Sequence, residues 1–187
     1  MDVTKLLEAD HRTVEDLFER IDRAEGDARR PMITELQNAL LAHMALEEQV
    51  LYPAMAPVTG AEAVEEGNKE HELARRSLQD MGDLAPDDPG FGAAMEATKA
   101  AIEHHVEEEE HEVFPELRKD GTVLAEIATP FMATRMELGM PMDADALAAS
   151  STKKELLEEA KSAGLDHTSS MNKHDLAEAL AKVMQPA

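Results

Sequence analysis

The sequence contains one phrase twice, HMALEEQVLYP at residues 43–53 and HVEEEEHEVFP at residues 105–115. In both copies a histidine is followed four residues later by two glutamates, and an aromatic residue precedes the closing proline. Residues four apart on an α-helix lie on the same face, about one turn from each other. Each phrase therefore predicts a helix that directs a histidine and a glutamate to the same side.

The repeat extends to the helices that precede these phrases. His11 lies 32 residues before His43, and His71 lies 34 residues before His105. This spacing predicts two αα-hairpins, each with one histidine on its first helix and a His-x3-Glu pair on its second. If the hairpins pack with approximate two-fold symmetry, two metal ions can each take two histidines while two glutamates bridge them. The predicted metal ligands are His11, His43, Glu47, His71, His105 and Glu109.

Taken singly, each of these residues has a plainer interpretation, because a lone histidine on a helix is usually a surface residue or a satisfied core residue. Their positions favour the metal site. His11 shares a helical face with Leu7, Val14, Phe18 and Ile21, and the other candidates also continue apolar faces. Burying so many polar side chains without partners would be costly. One shared metal site removes that cost for all of them.

Two competing registers use other residues. His104 and Glu108 also have the His-x3-Glu spacing, but their helical face has only alanine as apolar company, so we expect His104, Glu108 and His111 at the rim. A ferritin-like site would use Glu8-x-x-His11 and Glu108-x-x-His111. That alternative leaves three histidines without a role and breaks the internal symmetry, so it is the weaker interpretation.

The composition predicts an all-α protein, since 43% of the residues are hydrophobic but only 3% are aromatic. Apolar residues recur at helical spacing in four segments, the second of which is predicted to end at Pro53. Short connections favour an up-down-up-down four-helix bundle with a fifth helix over 121–138 and a small helical appendage. The predicted units are a bundle over 1–120, an extra helix and linker over 121–147, and a helix–loop–helix over 148–187.

The net charge of −22 would repel nucleic acid and anionic membranes unless a basic patch intervened. Without cysteine, any metal must be held by nitrogen and oxygen ligands. No stretch approaches the roughly 18 apolar residues of a membrane span, and the N-terminus lacks a signal-like apolar run. We therefore expect a cytoplasmic protein with no membrane contact; its oligomeric state is not predicted.

The motifs resemble those of the hemerythrin-like, or HHE cation-binding, domain family over about residues 3–118. The resemblance is carried by Asp10-His11, His43-x3-Glu47-Glu48, Glu70-His71-Glu72 and His105-x3-Glu109-Glu110. It implies a non-haem centre of two iron ions, oxo- or hydroxo-bridged, that interacts with dioxygen, peroxide or nitric oxide. Members of the family serve as oxygen carriers, sensors, iron-responsive regulators or peroxide-consuming proteins. The resemblance therefore leaves a catalase-like enzymatic activity open.

The sequence departs from the oxygen-carrying hemerythrins, which use a fifth histidine four residues from the histidine of the third helix. Here those places hold Gly67 and Arg75. Tyr52, the one tyrosine, is a possible additional ligand as phenolate, although a packing role is the plainer interpretation. Carboxylates that could hold the outer N–H groups of the ligating imidazoles are Glu8, Glu15, Glu70 and Glu72.

The C-terminal stretch resembles the small SAP or Rho-N-terminal-like helix–loop–helix of nucleic-acid proteins. Its first helix is predicted to be capped at Ser151 or Thr152 and to span 153–163, and its second spans 175–183. Five lysines face six acidic residues over 148–187, so phosphate contacts would be few. This gives an alternative function, a metal- or gas-responsive module that acts through its tail on nucleic acid or a partner protein. A packing or solubilising appendage is the plainer alternative.

Overall fold

A computed structural model describes residues 1–119 and 121–185 and shows an all-helical protein, as predicted. Asp120, Pro186 and Ala187, which include two predicted unit boundaries, lie outside the described residues. The helices are α1 (Thr4–Arg23), α2 (Arg29–Leu46), α3 (Tyr52–Thr59), α4 (Ala61–Asp83), α5 (Phe91–Glu108), α6 (Phe114–Lys119), α7 (Gly121–Glu137), α8 (Ala144–Ser150), α9 (Lys153–Ser162) and α10 (Lys173–Val183).

Helices α1 and α2 form one hairpin, and α4 and α5 form the other, with α2 packed on α4. Their apolar faces build two separate clusters. The hairpin-loop cluster includes Phe18, Leu36, Leu78 and Ile102. The C-terminal cluster includes Leu6, Leu46, Phe114, Phe131 and Leu180. On each bundle helix the candidate metal ligands lie where the apolar residues change from one cluster to the other, so a polar layer separates two apolar halves.

Each repeated phrase interrupts its α-helix with one π-helical turn that begins at the candidate bridging glutamate. These turns span Glu47–Leu51 and Glu109–Val113. A proline lacks an N–H and its ring clashes with the carbonyl four residues earlier in an α-helix. Pro53 and Pro115 each lie two residues beyond the end of a π turn, so the carbonyl four residues earlier belongs to that turn and not to a regular α-helix. The predicted helix end at Pro53 is therefore wrong, because the helix continues through the proline to Thr59.

The helices beyond the bundle pack onto it. Helix α8 contacts both α1 and α10, and Leu147, Leu156 and Leu176 are fully buried in the C-terminal cluster with bundle residues. The predicted boundary between 147 and 148 falls inside α8; the division into three units stays a prediction. Thr152 caps α9 in a capping box with Glu155, one of the two caps expected from the sequence.

Among the described residues, no helix is both long and apolar enough to cross a membrane.

Shortening Leu176 should destabilise the whole protein, because this side chain is fully buried in a cluster that also contains α1 and α2 residues. We expect Leu176→Ala to lower the free energy of unfolding by about 2–5 kcal/mol, measured by urea denaturation of the metal-free protein. The matched control is Leu73→Ala, whose side chain is 57% exposed, with an expected effect within about 0.5 kcal/mol. Equal small effects would show that the C-terminal helices lie apart from the bundle core.

Candidate metal centre

The four predicted histidines meet as two pairs in the interior of the bundle. Nε2 of His11 lies 3.2 Å from Nε2 of His43, and Nε2 of His71 lies 3.2 Å from Nε2 of His105. The rings within each pair are tilted by 60° and 69°. All four residues are buried. Each pair therefore joins the two helices of one hairpin through their inner ring nitrogens.

Two buried carboxylates lie between the histidine pairs. The two oxygens of Glu47 lie 3.1 Å from Nε2 of His43 and 3.2 Å from Nε2 of His71. Oε2 of Glu109 lies 3.5 Å from Nε2 of His11 and 3.7 Å from Nε2 of His105. Each glutamate thus approaches one histidine of each pair, the arrangement expected of a bridging carboxylate.

The second glutamate of each repeated phrase holds a histidine of the other hairpin. Nδ1 of His11 donates to Glu110 at 2.7 Å, and Nδ1 of His71 donates to Glu48 at 2.9 Å. An ionised carboxylate can only accept, so these outer nitrogens carry the proton. The inner Nε2 of a neutral ring then presents its lone pair to the centre, as a metal ligand must.

The acidic residue before the first histidine of each hairpin faces the second histidine of the same hairpin. Glu70 accepts a hydrogen bond from Nδ1 of His105 at 2.9 Å. Asp10 lies 3.6 Å from Nδ1 of His43, beyond hydrogen-bond length, and that nitrogen has no other partner among the described residues. The internal two-fold pattern therefore holds for all four carboxylates, but His43 is bound less closely than the others.

Arg135 of α7 explains this difference. Its guanidinium donates to both oxygens of Asp10, at 2.5 and 2.6 Å, and to the carbonyl of Pro141 at 2.9 Å. Arg135 is only 2% exposed. Burial raises the pKa of Asp10, but the hydrogen bonds of Arg135 and the nearby charges of Arg135 and His43 outweigh burial and lower it. A helix outside the four-helix bundle thus fixes a carboxylate that faces a candidate ligand.

The donor atoms of the centre fit metal ions. Neither oxygen of Glu47 or Glu109 accepts a hydrogen bond from a described residue, although both side chains are buried. Unpartnered buried carboxylates are costly, and two neutral imidazoles that face each other with Nε2 lone pairs would repel each other. A cation in each histidine pair would satisfy these groups together. Two of the possible metal-binding groups share Glu47, namely His11-His43-Glu47-Glu109 and Glu47-His71-His105.

Protons balance part of the charge in the metal-free protein. Burial lowers the pKa of His43, but the carboxylates of Glu47 and Asp10 more than reverse this and raise it to about 10. The pKa of His105 is likewise raised well above its usual value, because Glu109 and Glu47 outweigh burial. Burial raises the pKa of Glu47, yet the surrounding imidazoles hold it well below its usual value.

Tyr52 lies beside the centre. Its hydroxyl is 3.0 Å from Nε2 of His71, the lone-pair nitrogen of that ring, to which it donates. Burial and the nearby carboxylate of Glu47 raise the pKa of Tyr52, so the phenol is neutral. A Cβ atom at Gly67 would come within 2.6 Å of the hydroxyl oxygen. The tyrosine therefore fills the space beside Gly67. Gly67 is one of the two places considered for the fifth histidine of the oxygen-carrying hemerythrins.

The remaining sequence candidates lie away from the centre. His104 and His111 are exposed, and His111 donates to the carbonyl of Glu107 at 2.9 Å. The ferritin-like alternative fails for the same reason, since His111 does not reach the interior. Of the four carboxylates expected to hold imidazoles, only Glu70 does so. The other three, Glu8, Glu15 and Glu72, pair respectively with Lys5, Arg12 and Arg76.

Three carboxylates that face histidines were not predicted to do so, although all three belong to the sequence motifs: Asp10, Glu48 and Glu110. Their signal is adjacency, because each directly precedes or follows a predicted ligand. Arg75 occupies the other place considered for a fifth histidine. Its guanidinium donates to both oxygens of Glu48 at 2.8 Å. It supports the carboxylate that holds His71.

The fold and the donor set define a helical-bundle protein that binds metal ions through histidine and carboxylate groups. The chain matches the family described as "Hemerythrin HHE cation binding domain" over residues 2–117, more than half of its 187 residues. It belongs to this family, which confirms the resemblance seen in the motifs.

A curated relative is a protein named DNA nickase from Nostoc sp. (strain PCC 7120), which is 23% identical over 152 residues. The match covers 80% of this chain but only 43% of the relative, so the chain spans less than half of that protein's length. No solved structure matches the chain.

Removing Arg135 should leave Asp10 without its buried partner. Breaking a buried ion pair from one side costs about 3–5 kcal/mol, so we expect Arg135→Ala to lower the free energy of unfolding by that amount in urea titrations. The control is Arg76→Ala, because Arg76 is exposed and pairs with Glu72 on the helix surface; its expected cost is below about 1 kcal/mol. Equal losses in the two variants would contradict the role assigned to Arg135.

Proposed function

We propose that the protein holds two iron ions and that this pair interacts with a small oxidant, namely dioxygen, peroxide or nitric oxide. One ion would lie between His11 and His43 and the other between His71 and His105, with Glu47 and Glu109 as bridges. The supporting observation is that four inner ring nitrogens converge with two buried carboxylates that have no hydrogen-bond donor among the described residues. As a phenolate, Tyr52 would be an additional ligand, in exchange for its hydrogen bond to His71.

The preference for iron rests on the donor set and the family. Nitrogen and oxygen donors suit iron, but zinc or manganese also accept them, and affinity alone does not select iron. Iron would supply the ferrous–ferric exchange that oxidant reduction or reversible binding needs. The side chains of the protein would orient the ligands, surround the centre with apolar groups and hold a proton near it. Outer carboxylates keep the imidazoles oriented, apolar clusters lie on either side, and the Tyr52 hydroxyl holds a proton 3.0 Å from Nε2 of His71.

Iron binding can be tested by adding ferrous ion to the metal-free protein without oxygen. We expect about two ions per chain by elemental analysis, as the paired ligands of a di-iron site require. Glu47→Gln should lose at least one ion per chain, because Glu47 contacts both histidine pairs. His111→Ala is the control and should keep both. Failure of the unaltered protein to bind iron would refute the proposal.

The response of the iron-loaded protein to an oxidant distinguishes an enzyme from a sensor or carrier. After exposure to air, a bridged ferric pair should give near-ultraviolet charge-transfer bands, whereas a zinc protein would give none. Steady-state consumption of peroxide would identify an enzyme with catalase-like activity. A spectral change on adding peroxide or nitric oxide, without turnover, would identify a sensor or carrier.

A second candidate function is a metal- or gas-responsive regulatory module that acts through 148–187 on nucleic acid or a partner protein. The supporting observation is the similarity to a protein named DNA nickase, which extends over 152 residues. Lys153 and Lys154 are exposed at the start of α9 and are available for phosphate contacts. The net charge of −22 opposes strong binding to nucleic acid, because like charges repel.

This second function predicts that the iron-loaded protein retains duplex DNA at low salt. Replacing Lys153 and Lys154 with glutamate should then weaken retention and reduce the dependence of log K on log salt by about 2, measured by filter binding. Lys99→Glu, on the bundle surface, is the control, and a supercoiled plasmid reports nicking in the same samples. Lack of retention by the unaltered protein would exclude nucleic acid and leave only a protein partner.

A further inference from the structure

A narrow pocket of about 80 Å³ leads from the surface to the candidate metal centre, between α4 and the second π-helical turn. Two buried candidate ligands, Glu109 and His105, line its inner end. Four further glutamates also line the pocket, namely Glu66, Glu70, Glu108 and Glu112. The other lining residues are uncharged, and none of those that the structure describes is lysine or arginine. The pocket is therefore a negatively charged passage with a candidate ligand at its end.

The inner end of the pocket has a group that requires a cation. Glu109 is only 3% exposed, and neither of its carboxylate oxygens has a hydrogen-bond partner among the described residues. His105 beside it presents Nε2 to the centre, because its Nδ1 donates to Glu70. A cation that enters the centre through the pocket would reach Glu109 and His105 before the other candidate ligands.

Two of the glutamates that line the pocket, Glu70 and Glu108, form an outer set of donors with His104, which is exposed beside the pocket. Nε2 of His104 lies 3.4 Å from Glu108 and 3.6 Å from Oε1 of Glu70. The donor atoms of these three residues all lie within 4.8 Å of one another, close enough to hold one metal ion. Glu70 has its other oxygen, Oε2, on Nδ1 of His105. A single carboxylate thus connects the outer set with a histidine of the buried centre.

The corresponding place in the first hairpin has no such donor set. There Asp10 takes the position of Glu70, and buried Arg135 pairs with both of its oxygens. The repeat places Ala42 and Leu46 where the second hairpin has His104 and Glu108, and both pack in the C-terminal cluster. The internal symmetry is therefore broken: Asp10 is paired with an arginine, whereas Glu70 lies beside a histidine and a further glutamate.

We propose that Glu70, His104 and Glu108 capture divalent metal ions at the pocket mouth and pass them to the buried centre. The proposal rests on the function proposed above, since it requires a metal centre to be filled. A cleft lined by one sign of charge raises the local concentration of counter-ions and their rate of association, by about 10–1000-fold. The outer set would bind weakly and transiently, because His104 and Glu108 are accessible to water.

The test measures how fast iron is loaded, separately from how much is bound. Metal-free protein is mixed with ferrous ion without oxygen, quenched at intervals with a ferrous chelator, and assayed for protein-bound iron. We expect the combined variant His104→Ala/Glu108→Gln to load at least about 10-fold more slowly and to reach the same final iron content. Loading of the unaltered protein should slow as salt is raised, whereas the variant should lose most of that dependence.

The control is the combined variant His111→Ala/Glu116→Gln, which makes the same chemical changes at exposed positions outside the pocket. It should load at the unaltered rate. A normal rate in His104→Ala/Glu108→Gln would overturn the capture site and leave the di-iron proposal intact. A lower final iron content in that variant would also overturn it, because the residues would then belong to the permanent site. If the unaltered protein binds no iron, the function itself fails.

Discussion

The structure depends on a buried polar layer of histidines and glutamates, whose charge protons balance only in part. Four imidazoles direct inner nitrogens at one another, and among the described residues nothing donates a hydrogen bond to Glu47 or Glu109. This layer divides the bundle interior into two apolar clusters, so every bundle helix must bring its ligand to the same level. Cations between the pairs would turn this costly arrangement into a stabilising one.

The carboxylates around the layer connect the hairpins to each other. Glu48 of the first hairpin binds His71 of the second, and Glu110 of the second binds His11 of the first. The rotation of each histidine is therefore set partly by the opposite hairpin, which makes ligand orientation a property of the assembled bundle. Asp10 and Glu70 occupy equivalent positions in the two hairpins, but their surroundings differ. On one side Arg135 neutralises Asp10, and on the other Glu70 lines an acidic pocket.

Much of the centre could be predicted because its residues lie on regular helices. The periodicity placed His11 on the face of Leu7 and Val14, and it placed His104 outside the centre, as the structure has them. The helix end at Pro53 could not be predicted in this way. A proline normally ends an α-helix, and only the preceding π-helical turn, which local spacing does not reveal, lets the helix continue.

By itself the sequence determined the helical class, the two hairpins and the set of converging side chains, because helical periodicity is local and relates residues only a few positions apart. Tertiary structure decided which carboxylate holds which histidine and which of these carboxylates is paired with a buried arginine. Arg135 meets Asp10 across 125 residues of sequence, and the space above Gly67 is filled by a tyrosine from another helix. Such contacts depend on how the helices pack, and no spacing within a single helix specifies them.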